Sequence, residues 1–244
     1  MEDDRELAEA KAVAMRWNTP LGEAHAERLL ERLGMPEAGS VLDLGCGWGE
    51  LLIRAVGSTP SGSTTGVGVD TYPGDIARAR RAAAERGLGD RVRFVEASAV
   101  DWGASADRVI CIGSSHIWGG SEAALAALAQ NVSPGGRLLF GDGFWKRDPS
   151  PAAVEIFGEA VVDLGGLVRL AHASGWDVVH LSEADQHEWD DFESTWRLGR
   201  HRWLAEHRSD ARATALRETL RTSLLEYLDV YRGVLGFAYL VLQC

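Results

Sequence analysis

At 244 residues, with 45% hydrophobic and 25% charged side chains, the chain carries enough apolar surface for one large α/β core, and no stretch approaches the ~20 apolar residues that span a bilayer. The formal net charge of −11 argues against a nucleic-acid backbone or an anionic membrane as partner, because both need a basic surface; a small molecule is the expected ligand. Cys46, Cys111 and Cys244 fall at no disulfide or metal-ligand spacing, which points to a reducing, cytoplasmic setting without a metal centre.

In chain order, residues 4–16 and 21–34 read as helices that form an N-terminal cover over residues 1–35. Trp17-Asn18-Thr19-Pro20 separates them, with Asn18 or Thr19 as a cap and Pro20 suited to a first helical turn. Trp17 serves either as packing between helices or as a lid on a ligand. Residues 41–50, VLDLGCGWGE, are the organising stretch. Val41, Leu42 and Leu44 suit a buried parallel strand, residues 51–55 suit a helix, and Gly45, Gly47 and Gly49 fall at the junction. Glycines there permit positive φ and close approach of a ligand, while the helix start presents free N–H groups. Asp43 at the strand end is a candidate acceptor for an ammonium group.

A second strand over 66–69 ends at Asp70, whose distance from the glycine turn matches that of an acid that binds ribose hydroxyls. A helix over 73–86 and a third strand over 91–95 follow; Ser98 and Ala99 lie at its carboxyl end, where a base would sit. The fourth strand, 109–112, flows into Gly113-Ser114-Ser115-His116-Ile117-Trp118-Gly119-Gly120, and the fifth, 137–140, exits through Gly141-Asp142-Gly143-Phe144-Trp145. Open parallel sheets bind ligands at strand carboxyl ends. Gly113 is therefore expected at the cofactor, His116 and Asp142 as candidate bases, and Trp118 and Trp145 as pocket walls. His116 serves otherwise as a helix cap, and Gly-Asp-Gly is also good turn chemistry.

Residues 151–174 look helical with a break at Gly165-Gly166, and a sixth strand covers 176–181. The segment 183–233 departs from the alternation and is expected to be a helical cap inserted in a single domain of residues 1–244. Its Trp189, Phe192, Trp196 and Trp203 can share one helical face, as core or as substrate wall, and its acidic then basic residues read as solvated, mutually screened faces. Tyr231 precedes a final apolar strand, 236–242.

This order of motifs resembles the class I S-adenosylmethionine-dependent methyltransferases over residues 40 to about 145. More narrowly, RWNTPL, IGSSHIWGG, GDGFW and YRGVLGFAYLVL resemble a poorly characterised bacterial subgroup of them. The resemblance implies a Rossmann-like doubly wound sheet of about seven strands, mostly parallel with an antiparallel final strand, and S-adenosyl-L-methionine as cofactor. It places the methionine part on Asp43, Gly45 and Gly47, the ribose on Asp70 and the adenine near Ser98 and Ala99, although many members carry Asp where this chain has Ser98. It implies in-line methyl transfer to a small-molecule acceptor; a base is optional, with His116 and Asp142 as the candidates, and Trp17, Trp118, Trp145, Trp196 and Tyr231 are the candidate acceptor-binding residues. A non-catalytic binding module and a nicotinamide-dependent oxidoreductase are the alternatives; Gly-x-Gly-x-Gly departs from the Gly-x-Gly-x-x-Gly of the latter.

Overall fold

The computed structural model describes residues 7, 14–59 and 62–244. Its centre is a seven-stranded sheet in the order β3-β2-β1-β4-β5-β7-β6. Strands β1 (Ser40–Leu44), β2 (Thr65–Asp70), β3 (Val92–Glu96), β4 (Ala106–Ile112) and β5 (Val132–Trp145) pair in parallel, whereas β7 (Leu235–Gln243) runs antiparallel between β5 and β6 (Asp177–Glu183). The doubly wound, mostly parallel architecture expected from the sequence is the one observed.

Helices cover both faces, and β7 shows how the sequence divides between them. Phe237, Tyr239 and Val241 enter the core layer on one face; Ala238, Leu240 and Leu242 enter the other, as the two-residue period of a strand requires. The first layer is completed by α1 (Glu23–Leu33), α2 (Glu50–Gly57) and α3 (Pro73–Glu85) through Leu29, Leu33, Leu52, Val56 and Ile76. The second is completed by α4 (Ser121–Leu128), α6 (Leu164–Ala173) and Trp176, whose indole N–H donates to the Leu125 carbonyl. Edge strand β6 alternates between half-buried and exposed positions, while β7 is buried along nearly its whole length.

One expectation is untested and others need correction. The expected helix over 4–16 lies largely outside the described residues. The GDGFW segment is no exit loop: it continues β5, because antiparallel β7 extends past the end of β4 and pairs Asp142 with Ala238 and Trp145 with Leu235. The helical break after residue 151 falls at Gly158, in the left-handed region at φ 90°, between α5 (Pro151–Phe157) and α6; Gly165 and Gly166 lie inside α6, which Asp163 caps by accepting from Gly166 N–H. The cap comprises α7 (Gln186–Glu206), α8 (Ala213–Glu226) and a π-turn (Tyr227–Tyr231), starting just after β6. Its charges are not all solvated either. Glu193 and Arg197, one helical turn apart, are both buried and pair at 2.9 Å, which offsets their desolvation.

Glu188 ties the cap to the N-terminal cover. Glu188 in the first turn of α7 forms a capping box with Asp185, accepting from Asp185 N–H at 2.9 Å while Asp185 accepts from Glu188 N–H at 2.8 Å. Its other oxygen accepts from Gly22 N–H at 2.7 Å and meets His25 Nδ1 at 3.0 Å. Burial alone would raise the Glu188 pKa, but the hydrogen bonds from His25, Asp185 and Gly22 prevail and hold it below its ordinary value.

Candidate active site

The glycine turn between β1 and α2 closes by backbone hydrogen bonds from Gly45 and Cys46 N–H to the Val69 carbonyl, at 2.9 and 3.1 Å. All three of its glycines have positive φ, and Gly49 starts α2 without a side-chain cap, leaving the first N–H groups of the helix unpartnered by one. The three positions differ in surroundings. A Cβ at Gly45 would overlap the Ser114 side chain from the β4 exit, and one at Gly49 would overlap Phe94, whereas at Gly47 the nearest atom is an Asp75 oxygen 4.0 Å away. Gly47 therefore faces open space.

That space is a cavity of about 320 Å³ lined by Asp43, Gly45, Gly47, Asp70, Gly113 and Trp17, among others. Asp70 braces the turn, accepting from Gly47 N–H at 2.8 Å and from Tyr72 N–H at 2.9 Å. Asp43 is buried in the floor. Burial, reinforced by the charge of Asp70, pushes its pKa up to about 8, which favours the protonated carboxyl. Above the turn, Trp48 fixes the segment that carries Trp17: its indole N–H donates to the Arg16 carbonyl at 2.8 Å, and the Arg78 guanidinium lies 4.4 Å from its ring while donating to the Met15 carbonyl.

A second cavity, of about 580 Å³, opens between the carboxyl ends of β4 and β5 and the cap. Asp142 faces it from β5, accepting from Ser121 Oγ at 2.5 Å and from Gly143 N–H at 2.8 Å. Phe157, Trp189, Phe192, Tyr231 and Phe237 supply its apolar walls, and edge-to-face contacts link Phe157, Tyr231 and Trp189. Glu193 also lines it, accepting from Tyr231 Oη at 2.9 Å as well as from Arg197. Asn18, Thr19, Gly113 and His116 line both cavities, so the two meet at these residues.

The structure thus brings together most of the residues expected from the sequence, in two groups. Asp43, Gly45, Gly47, Asp70 and Trp17 surround the first cavity; Asp142 and Tyr231 face the second; Gly113 and His116 belong to both. Others lie elsewhere. Ser98 and Ala99 line neither cavity, and Ala99 is buried in the second core layer. Trp118 packs on that same layer, Trp145 stands behind Phe157 at 6.1 Å between ring centroids, and Trp196 packs on the α7–α8 cluster with Arg200 over its ring. The aromatic stripe of α7 divides accordingly: Trp189 and Phe192 reach the cavity, while Trp196 and Trp203 hold the cap together. Ser121 and Glu193 escaped the sequence reading because a helix-start serine and a glutamate in an acidic run carry no local signal of a cavity.

Residues 41–136 match the family described as methyltransferase domain. Over 236 residues the chain is 33% identical to the uncharacterized protein YjhP of Escherichia coli, covering 93% of each. A solved structure of a SAM-dependent methyltransferase from Geobacter sulfurreducens, in complex with S-adenosyl-L-homocysteine, is 27% identical with a TM-score of 0.88, over 98% of this chain and 97% of that one. A SAM-dependent methyltransferase from Thiobacillus denitrificans, in complex with the same molecule, is 28% identical with a TM-score of 0.86 over 96% of both chains.

Proposed function

The chain belongs to the S-adenosyl-L-methionine-dependent methyltransferases, and from that premise we propose that it methylates a small-molecule acceptor held in the second cavity, with the donor in the first. S-Adenosyl-L-methionine, when bound, supplies a methyl group activated on a sulfonium. The residues of the first cavity suit such a ligand: open backbone at Gly47, the Asp43 carboxyl for an ammonium group, and Asp70 for ribose hydroxyls. Gly45 and Gly113 contribute close backbone approach on either side.

The observation that carries the reading is the shared lining. Asn18, Thr19, Gly113 and His116 belong to both cavities, so an acceptor atom and a donor methyl group can meet there without crossing a wall. Alignment of two reactants is worth about 7–11 kcal/mol in favourable cases, and supplying it is the main task of the protein. His116, exposed at the junction, takes the proton of an acceptor that must lose one; Asp142, fixed by Ser121 and Gly143, anchors the acceptor in the orientation for attack. Trp17 covers the donor side, Tyr231 and the other rings exclude water from the acceptor side, and a cytoplasmic setting agrees with three free cysteines.

Incubation with isotopically methyl-labelled S-adenosyl-L-methionine and a metabolite extract tests this. Label is expected in small molecules, with turnover reduced about 10²–10⁴-fold in His116→Ala where proton removal limits the rate. Label only in macromolecules, or wild-type turnover in both His116→Ala and Asp142→Ala, would sink the reading.

A further inference from the structure

We infer that the acceptor is an amine, a basic nitrogen carried on an aromatic or similarly apolar body. This rests on the assignment of the second cavity to the acceptor, and gives that acceptor a chemical class. The argument is one of charge. Among the described residues, the acidic side chains and imidazole lining the cavity are Asp142, Glu193 and His116, and no lysine or arginine lines it. Glu193 is already neutralised, by Arg197 at 2.9 Å and by the Tyr231 hydroxyl. Asp142 is different: Ser121 and the Gly143 N–H hold it, both neutral donors, and no described cation pairs with it. Half-buried at the edge of an aromatic chamber, its charge lacks a partner that a bound ligand can supply.

Acceptors bearing carboxylate or phosphate meet the uncompensated Asp142 there and, among the described residues, no lysine or arginine, which disfavours them. A neutral alcohol leaves Asp142 uncompensated. An ammonium group offsets it, and the rings of Tyr231, Trp189 and Phe157 give the cation a favourable face. The same arrangement balances the reaction. The ammonium held at Asp142 gives one proton to His116 and so to solvent. The freed nitrogen lone pair then forms the N–CH3 bond while the S–CH3 bond breaks, its electron pair staying on sulfur, so that a positive charge passes from the sulfonium to the methylated nitrogen. The product leaves as an N-methylammonium ion with S-adenosyl-L-homocysteine.

The test uses three matched probes, 2-phenylethylamine, 2-phenylethanol and 3-phenylpropionate, titrated calorimetrically into protein saturated with S-adenosyl-L-homocysteine and assayed with labelled methyl donor. The amine is expected to bind at least about tenfold more tightly than either analogue and to take up label, and Asp142→Asn is expected to abolish that preference while leaving S-adenosyl-L-homocysteine affinity unchanged. Equal or tighter binding of the alcohol or acid, failure of the amine to bind at millimolar concentration, or an unaltered preference in Asp142→Asn overturns the inference. Label on the alcohol or acid leaves small-molecule methyl transfer standing and removes only the amine. Label on macromolecules alone removes the acceptor-site assignment itself.

Discussion

In the proposed donor site, Asp43 is expected to couple ligand binding to a proton. Below its raised pKa of about 8 the folded, ligand-free protein holds a proton that the unfolded chain has released near 3.8, so the group lowers stability as pH rises through that interval. With the ligand's ammonium at Asp43, as proposed, the ionised form is favoured, and binding at neutral pH is expected to expel the proton. Affinity for S-adenosyl-L-homocysteine is expected to rise up to about tenfold per pH unit between pH 6 and 8. Calorimetry in buffers of different ionisation enthalpy measures the released proton directly; Asp43→Asn should abolish it. The neighbouring glycines separate conformation from space. Gly45→Ala combines positive φ with overlap at Ser114 and is expected to cost about 2–4 kcal/mol, against about 1 kcal/mol for Gly47→Ala, where only the left-handed backbone opposes the methyl group. Denaturant titration ranks the two, and equal losses would contradict the described turn.

The Glu188 clasp joins α7 to α1 and so fixes the Asn18-Thr19-Pro20 segment, two residues of which line both cavities. Glu188→Ala leaves Gly22 N–H and His25 without their acceptor and is expected to cost about 1–3 kcal/mol. Because the Glu188 pKa is depressed, its contribution is full above the ordinary carboxylate range and is lost as pH falls through the folded value; the gap in melting temperature between wild type and variant should be full at pH 7 and shrink as pH falls below that range. A variant as stable as wild type at pH 7 would show that the clasp contributes nothing. At this scale the sequence was most legible where the signal is local. The β1 run, its glycines and Asp70 are contiguous features whose period and spacing hold in any fold of this kind. The extension of β5 through Asp142 was not legible, since the ladder that creates it comes from Gly236 and Phe237 nearly a hundred positions later. Nor does the helical period of α7 reveal that Trp189 meets Tyr231 and Trp196 meets α8; the packing partners decide that.

Across the whole molecule, the continuous sheet and the two core layers argue for one cooperative unit, with the cap anchored at both ends. The expected observation is a single calorimetric transition, raised by S-adenosyl-L-homocysteine in proportion to about 2.7 kcal/mol at a hundredfold excess over Kd. A separate, ligand-insensitive transition would mean that the cap folds as its own domain. The position of β7 has a temporal consequence. It lies between β5 and β6 in space but after both in the chain, so during synthesis β5 presents a long unpaired edge and β6 has no neighbour until residue 243 has emerged. The sheet can close only once β7 has been made, and chains stopped before Leu235 should accumulate as aggregates that a chaperone must hold.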